Sequence, residues 1–497
     1  MKQLISSFLF LFCSQIQAQD IDVRFIGLEE DIDSLMYTYQ TIGMSISIVE
    51  NGKIIYSKGF GYRNLEKKLP VTPNTIFPIG SVSKPITASL IGVYLGKDKL
   101  SVTDRPSKFI PYLRFSTDEM NNLITIEDLL SHNSGIGVVD ATHVFFPTDD
   151  IEKHLKRLTR LAPNSSVRER FDYSNMGYAI LGEVSSQISG KTWAENVQDE
   201  IFNPLQMKHS NCSLDALQSS DNYSLGYSIT NGNPIEVVYE DQHESYASGA
   251  INSSSLDLSK WVVMLLNGGL YNDKQLIPKQ YLENSFSEHN IIRGSFSFDK
   301  KYNLLTDTYG YGWFVHQYND LYRVNHAGNV SGFTASVDLY PHKKIGIIIL
   351  TNQGSSNLLT KPISDMVLNR LLDLDKKSWK DYEIKIGEAI VPNVSFKPIN
   401  TEKKTSHELK DFCGKYFSEA YGIVSVFLEG ENLMIKFPAF KMYLEHVGYN
   451  TFINRVTEIH HQNTPSFYIN FYSDNNGEVS ELSIKFSDAP EHFIKME

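Results

Sequence analysis

The feature that most constrains this chain is an uncharged run from Ile86 to Leu95, entered through Gly80-Ser81-Val82-Ser83-Lys84-Pro85. Ile86, Leu90 and Val93 recur at helical spacing, and Ile91 and Leu95 widen the apolar stripe nearly all round. A helix with no polar face must sit inside a protein. At 497 residues the chain is long enough to bury it in one large domain and to add a small one. Ser81 and Lys84 stand three apart at the entrance, so both side chains can share one face of the first turn. Pro85 has no N–H for a ladder bond back to Ser81. That predicts either a loose 3₁₀-like first turn or a regular helix beginning near Ser83.

A serine hydroxyl is too weak an acid to attack at neutral pH without a base beside it, and a lysine at an apolar helix entrance can be that base. Backbone N–H groups at a helix N-terminus can also hold a developing oxyanion. The same residues equally describe a serine cap and a solvated lysine. Ser-x-x-Lys recurs at Ser297–Lys300 in a polar stretch with no helix behind it, so the spacing alone decides nothing.

Composition adds boundaries. A hydrophobic fraction of 41% with 21% charged is ordinary for a globular chain. A net charge of −12 with no long basic run speaks against nucleic acid and anionic membranes as partners. Residues 1–18 read as an export signal: Lys2 is the positive start, Leu4 to Phe12 the apolar core, and Ile16-Gln17-Ala18 the cleavage site. Removal there leaves no integral membrane segment and places the mature chain in the periplasm or outside the cell. With Cys13 gone, Cys212 and Cys413 leave room for one long-range disulfide but are read as two free, buried thiols. His460-His461 lacks a second ligand cluster and reads as a strand end, so no metal or other cofactor is expected.

Along the chain, Leu28 to Tyr39 reads as a helix, and Met44 to Val49 alternates with period two. Asn51-Gly52 then predicts a tight hairpin into Lys53 to Gly59, after which Gly59 to Tyr62 should leave the sheet. Thr125 with Asp128 forms a capping box ahead of Leu129-Leu130-Ser131-His132. Tyr173-Ser174-Asn175 opens a helix running to Gly190, so Tyr173 and Asn175 can face one cleft. Leu256 to Gly268 is a further helix. Strands are expected at Tyr309 to Val315, Tyr322 to Val324, Thr334 to Tyr340 and Ile345 to Thr351. Between the second and third of these lies His326-Ala327-Gly328-Asn329, where Gly328 and Gly332 permit close backbone approach. Residues 376–405 break the pattern as a linker, and 406–497 alternate in short runs, as a small all-β module does.

Taken together, Ser81-x-x-Lys84, Tyr173-Ser174-Asn175 and His326-Ala327-Gly328 resemble, in order and spacing, the motifs of the serine β-lactamase-related hydrolases. That superfamily holds class C β-lactamases, D,D-peptidases, D-aminopeptidases and esterases. Asn51-Gly52, Thr75-Ile76-Phe77 and Leu129 to Gly135 flank them in the same way, so the likeness runs from about Ile42 to Gln353 within a domain placed at 19–375. The resemblance implies an α+β fold, an antiparallel sheet flanked by helices, with the C-terminal β module appended. It implies an acyl-enzyme on Ser81, proton transfer shared by Lys84 and Tyr173, and Asn175 positioning Lys84 and substrate. The N–H groups of Ser81 and Asn329 would form the oxyanion hole, with His326 and Gly328 lining the substrate side. The departure is His326, where lactamases and D,D-peptidases usually carry lysine. A mostly neutral histidine weakens the grip on a substrate carboxylate. The expected substrate is therefore a small ester, amide or peptide, handled by an esterase, amidase or D-amino-acid peptidase. A β-lactamase or penicillin-binding D,D-carboxypeptidase is the alternative, and a non-catalytic sensor on the same fold is the second. Oligomeric state is not legible.

Overall fold

The computed structural model describes residues 22–137, 145–230, 232–239, 246–293, 307–318, 321–354, 357–374, 404–455, 466–486 and 490–496. The signal-like residues 1–18, Ser297–Lys300, most of the 376–405 stretch and His460-His461 lie outside them.

The chain enters through helix α1 (Leu28–Thr38). It continues into the hairpin β1 (Gly43–Glu50) and β2 (Lys53–Asn64), followed by the short β3 (Leu69–Pro70). Asn51 and Gly52 both have positive φ, as the two-residue turn requires. β2 does not end near Gly59, as its glycines suggest, but pairs on through Gly61, opposite Gly43. The glycines keep the strand because other backbone crosses it. A Cβ on Gly59 would lie 2.2 Å from Val71 O, and one on Gly61 2.2 Å from Ile42 O.

The apolar run forms helix α2 (Ser83–Gly96), preceded by a 3₁₀ turn at Gly80–Val82, so both readings of Pro85 hold in sequence. Helix α3 (Ile126–Leu130) carries both bonds of its capping box. Helix α4 (Asn175–Ser189) is capped by Ser174 Oγ, which accepts from Gly177 N at 3.1 Å, and ends at Gly190 in the left-handed region. The short α5 (Tyr246–Gly249) and α6 (Ser255–Leu266) follow.

Six strands complete the sheet: β4 (Asn290–Arg293), β5 (Asp307–Tyr309), β6 (Phe314–Tyr318), β7 (Leu321–Val330), β8 (Phe333–Tyr340) and β9 (Ile345–Thr351). Tyr309 to Val315 is thus not one strand. Gly310 to Trp313 makes a turn, with Gly312 at φ +81°, between two antiparallel partners. The nine strands run in the order β4-β5-β6-β7-β8-β9-β1-β2-β3, every neighbouring pair antiparallel.

β1, β8 and β9 are buried along nearly their whole length because helices cover both faces. Ile46, Ile48, Ile347 and Ile349 pack with Leu28, Ile32 and Leu35 of α1 and with Ile363 and Val367 of α7 (Asn357–Leu371). Ile348 and Leu350 point the other way, toward Trp261, Val262 and Leu265 of α6 and the residues of α2. Ser45 and Ser47 of β1 meet Ser255 Oγ on that side, at 2.7 and 2.9 Å. Each buried Ile or Leu of this stack contributes about 1.5–3 kcal/mol.

Eight described strands, from Gly414–Ser418 to Glu491–Lys495, form a closed antiparallel barrel. Closure removes the free edges that such short strands would otherwise expose. Phe145 and Phe146 insert into its aromatic core. Phe145 lies 4.9 Å from Phe437 and 5.2 Å from Phe467, and Phe146 lies 4.9 Å from Tyr421. Cys212 and Cys413 are free, half-buried thiols. No helix among the described residues is long and apolar enough to cross a membrane.

Candidate active site

Four segments converge on the entrance of α2. Ser81 lies in the 3₁₀ turn, where it keeps partial exposure, while Lys84 one turn on is completely buried. Lys84 Nζ donates to Ser81 Oγ at 3.1 Å, to Asn175 Oδ1 at 2.7 Å and to the carbonyl of Ser248 at 3.1 Å. The ammonium also stands 4.6 Å from the centroid of the Tyr173 ring, close enough for a cation–π contact. Ser81, Lys84, Tyr173 and Asn175, separated by up to 94 positions in sequence, are therefore one constellation.

The strand β7 brings the third group. Gly328 faces Ala335 and Asn329 faces Thr334 across the ladder to β8, while the strand's other side runs against the turn bearing Ser81. A Cβ on Gly328 would come within 2.0 Å of Ile79 O and 2.8 Å of Ser81 N. A Cβ on Gly80, itself at φ +51°, would meet Asn329 N at 3.0 Å. Only glycine lets strand and turn approach so closely. The backbones of Ser81 and Asn329 thereby stand side by side.

His326 is buried, with 1% exposure. Its Nδ1 lies 2.7 Å from the carbonyl of Ala327, which can only accept, so Nδ1 carries the proton. Nε2 then accepts from the hydroxyl of Tyr309 at 3.0 Å. Burial, reinforced by the charge on Lys84, pushes the imidazole from 6.5 down to about 3. It is neutral at pH 7, and both nitrogens are already engaged.

Tyr309, His132 and Ser248 are the members that sequence reasoning missed. The Tyr309 ring packs 4.7 Å from that of His132, which lies 4.3 Å from the ring of Tyr173. Ser248 acts through its backbone carbonyl, for which side-chain identity leaves no signal.

This sheet-and-helix scaffold, with a serine and a buried lysine at the head of its central helix, defines the class. The Beta-lactamase family profile matches residues 28–362, and the chain belongs to that family. A domain of unknown function, DUF3471, matches residues 400–495. Protein Flp of Staphylococcus aureus (strain MW2) is 27% identical over 333 residues, covering 66% of this chain and 63% of that protein. The chain thus spans under two thirds of that relative's length. Teichoic acid D-alanine hydrolase of S. aureus (strain MRSA252) is 26% identical over 326 residues, covering 66% of this chain and 74% of the relative. Among solved structures, the octameric penicillin-binding protein homologue from Pyrococcus abyssi superposes with a TM-score of 0.60 at 24% identity. That match covers 94% of this chain and 99% of the homologue, a likeness of fold.

Proposed function

We propose that the protein is an exported serine hydrolase that passes through an acyl-enzyme on Ser81 and acts on neutral esters, amides or D-amino-acyl groups. The observation that carries this reading is a fully buried lysine bonded to the oxygen of a partly exposed serine. As the C–O bond forms between Ser81 Oγ and the substrate carbonyl carbon, the hydroxyl proton passes to the lone pair of Lys84 in its neutral amine form. That amine donates to Asn175 and the Ser248 carbonyl and accepts from the Ser81 hydroxyl, with Tyr173 alongside to relay the proton to the leaving group. Asn175 and the Ser248 carbonyl hold Lys84 in place for that transfer. The negative oxygen develops between the N–H groups of Ser81 and Asn329. Collapse breaks the bond to the alcohol or amine, which leaves with the proton. Water then attacks the acyl carbon and restores Ser81.

His326 supports the neutral substrate class. An uncharged imidazole with both nitrogens bonded offers a carboxylate no fixed cation. The relative named teichoic acid D-alanine hydrolase supports the D-amino-acyl branch. Family membership favours a second reading, hydrolysis of β-lactams or of peptides ending in D-alanine. Turnover of a short-chain nitrophenyl ester and of a chromogenic cephalosporin separates the two, with Ser81→Ala as control. The first reading expects ester turnover that vanishes with Ser81 beside slow cephalosporin turnover. Efficient, Ser81-dependent cephalosporin turnover would install the second. Full turnover by Ser81→Ala would end both.

A further inference from the structure

We infer that His132 is a positioning residue that clamps Tyr173 in the geometry needed for proton transfer. This rests on the role given to Tyr173 above.

His132 grips the backbone on both sides of that tyrosine. Its carbonyl accepts from Asp172 N at 3.0 Å, and its ring Nδ1 accepts from Ser174 N at 3.0 Å. Between these two bonds sits Tyr173, whose ring packs against the imidazole at a centroid separation of 4.3 Å. The clamp is itself held. Asn290 Nδ2 donates to the His132 carbonyl at 3.1 Å, and Arg168 N donates to the neighbouring Asn133 carbonyl at 2.8 Å. His132 has φ +57°, in the left-handed region.

The tautomer follows from the geometry. Nδ1 accepts a backbone N–H, so the proton of the neutral ring is on Nε2. That atom is buried and has no hydrogen-bond partner among the described residues, in a ring lined by Tyr173, Tyr178 and Tyr309. Burial, with the charge of Lys84 behind it, keeps the ring unprotonated, so the Ser174 bond survives into acid.

Two substitutions separate the contributions. His132→Asn keeps an acceptor near the Nδ1 position and suits the left-handed backbone. His132→Phe keeps a ring against Tyr173 and removes the acceptor. Steady-state hydrolysis of a nitrophenyl ester by the full chain should show His132→Phe losing roughly a hundredfold in kcat with little change in KM. His132→Asn should stay within about tenfold of the parent. The decisive comparison adds Tyr173→Phe to each. If His132 acts through Tyr173, its substitution costs almost nothing further once the hydroxyl is gone. Equal losses in both backgrounds, or full turnover by His132→Phe, would overturn the inference while leaving the role of Tyr173 intact. Full turnover by Tyr173→Phe alone would instead overturn that role and the inference with it. Should His132→Phe fail to fold, His132→Ala, which also removes the acceptor for Ser174 N, takes its place and supports the inference on the same additivity test by losing kcat only while Tyr173 is present. Equal losses in the two backgrounds, or no loss in either, would overturn it.

Discussion

On the proposed reading His326 stands where a fixed cation would grip an anionic substrate, and its two nitrogens are spent on Ala327 and Tyr309 instead. His326→Lys should therefore raise cephalosporin turnover relative to ester turnover by roughly tenfold or more, since one charge-assisted contact is worth about 1.5–3 kcal/mol. An unchanged ratio, measured with both chromogenic substrates, would contradict the argument. Burial of neutral histidines also sets an acid limit. Burial holds His326 near 3 and His316 near 4, whereas an unfolded histidine titrates near ~6.5. Below that pH the unfolded chain binds protons that the folded chain refuses. Stability from each site is complete above about pH 6.5 and is lost as pH falls toward the folded value, by up to about 1.4 kcal/mol per pH unit. Urea unfolding between pH 6 and 4 should give a shallower acid slope for His326→Gln. The same slope in both proteins would show that His326 charges freely. At this scale the sequence was most legible where the residues that meet are marked by their side chains. The structure brings Ser81, Lys84, Tyr173 and Asn175 together at the head of α2, and these four with His326 stand out by type and order. His132 and Ser248 do not, because much of their work is done by carbonyls or by bonds to another segment's backbone.

The close approach of β7 to the turn before α2 is the element on which the proposed oxyanion site depends. A methyl group at Gly328 would sit 2.0 Å from Ile79 O, so strand and turn would have to part. Gly328→Ala should lower kcat for ester hydrolysis by about 10²–10³-fold, the usual cost of losing one oxyanion donor. A variant that folds and keeps its kcat would show that the N–H groups of Ser81 and Asn329 do not serve this purpose. The elements themselves were readable wherever period and punctuation agreed, as in the Asn51-Gly52 hairpin, the Thr125 capping box and the Ser174 cap. They were misread where glycine serves a close approach and not a turn, as in β2. Tyr309 to Val315 failed in the opposite direction: aromatic alternation hid the Gly310–Trp313 turn, whose buried rings belong to the core.

At the scale of the molecule, the barrel is joined to the hydrolase-like body by more than the covalent connection. Phe145 and Phe146, both almost fully buried, belong to the barrel's core, although they lie between α3 and Tyr173 in sequence. Arg157 Nη2 fixes the Phe146 carbonyl at 2.8 Å, and Arg160 pairs with Glu419 at 3.0 Å. Phe145→Ala should cost about 3–5 kcal/mol at this junction. Urea unfolding of the intact chain followed by tryptophan and tyrosine signals should show the loss, and an unchanged midpoint would mean the junction carries little energy. The alternating C-terminal strands foretold a β module. Its closure and its Phe-Phe plug could not be read from the chain, because closure pairs Tyr416 with Lys495, 79 positions away, and the plug sets Phe145 against Phe437, 292 positions away.

The account stands on Ser81 as the acyl-carrying oxygen. Acid-quenching the protein during turnover of a nitrophenyl ester, then mapping peptides by mass spectrometry, addresses that claim most directly. The predicted result is one acyl group on Ser81, absent from Ser81→Ala, which also ceases to turn over. An acyl group on another residue, or undiminished turnover by Ser81→Ala, would contradict it.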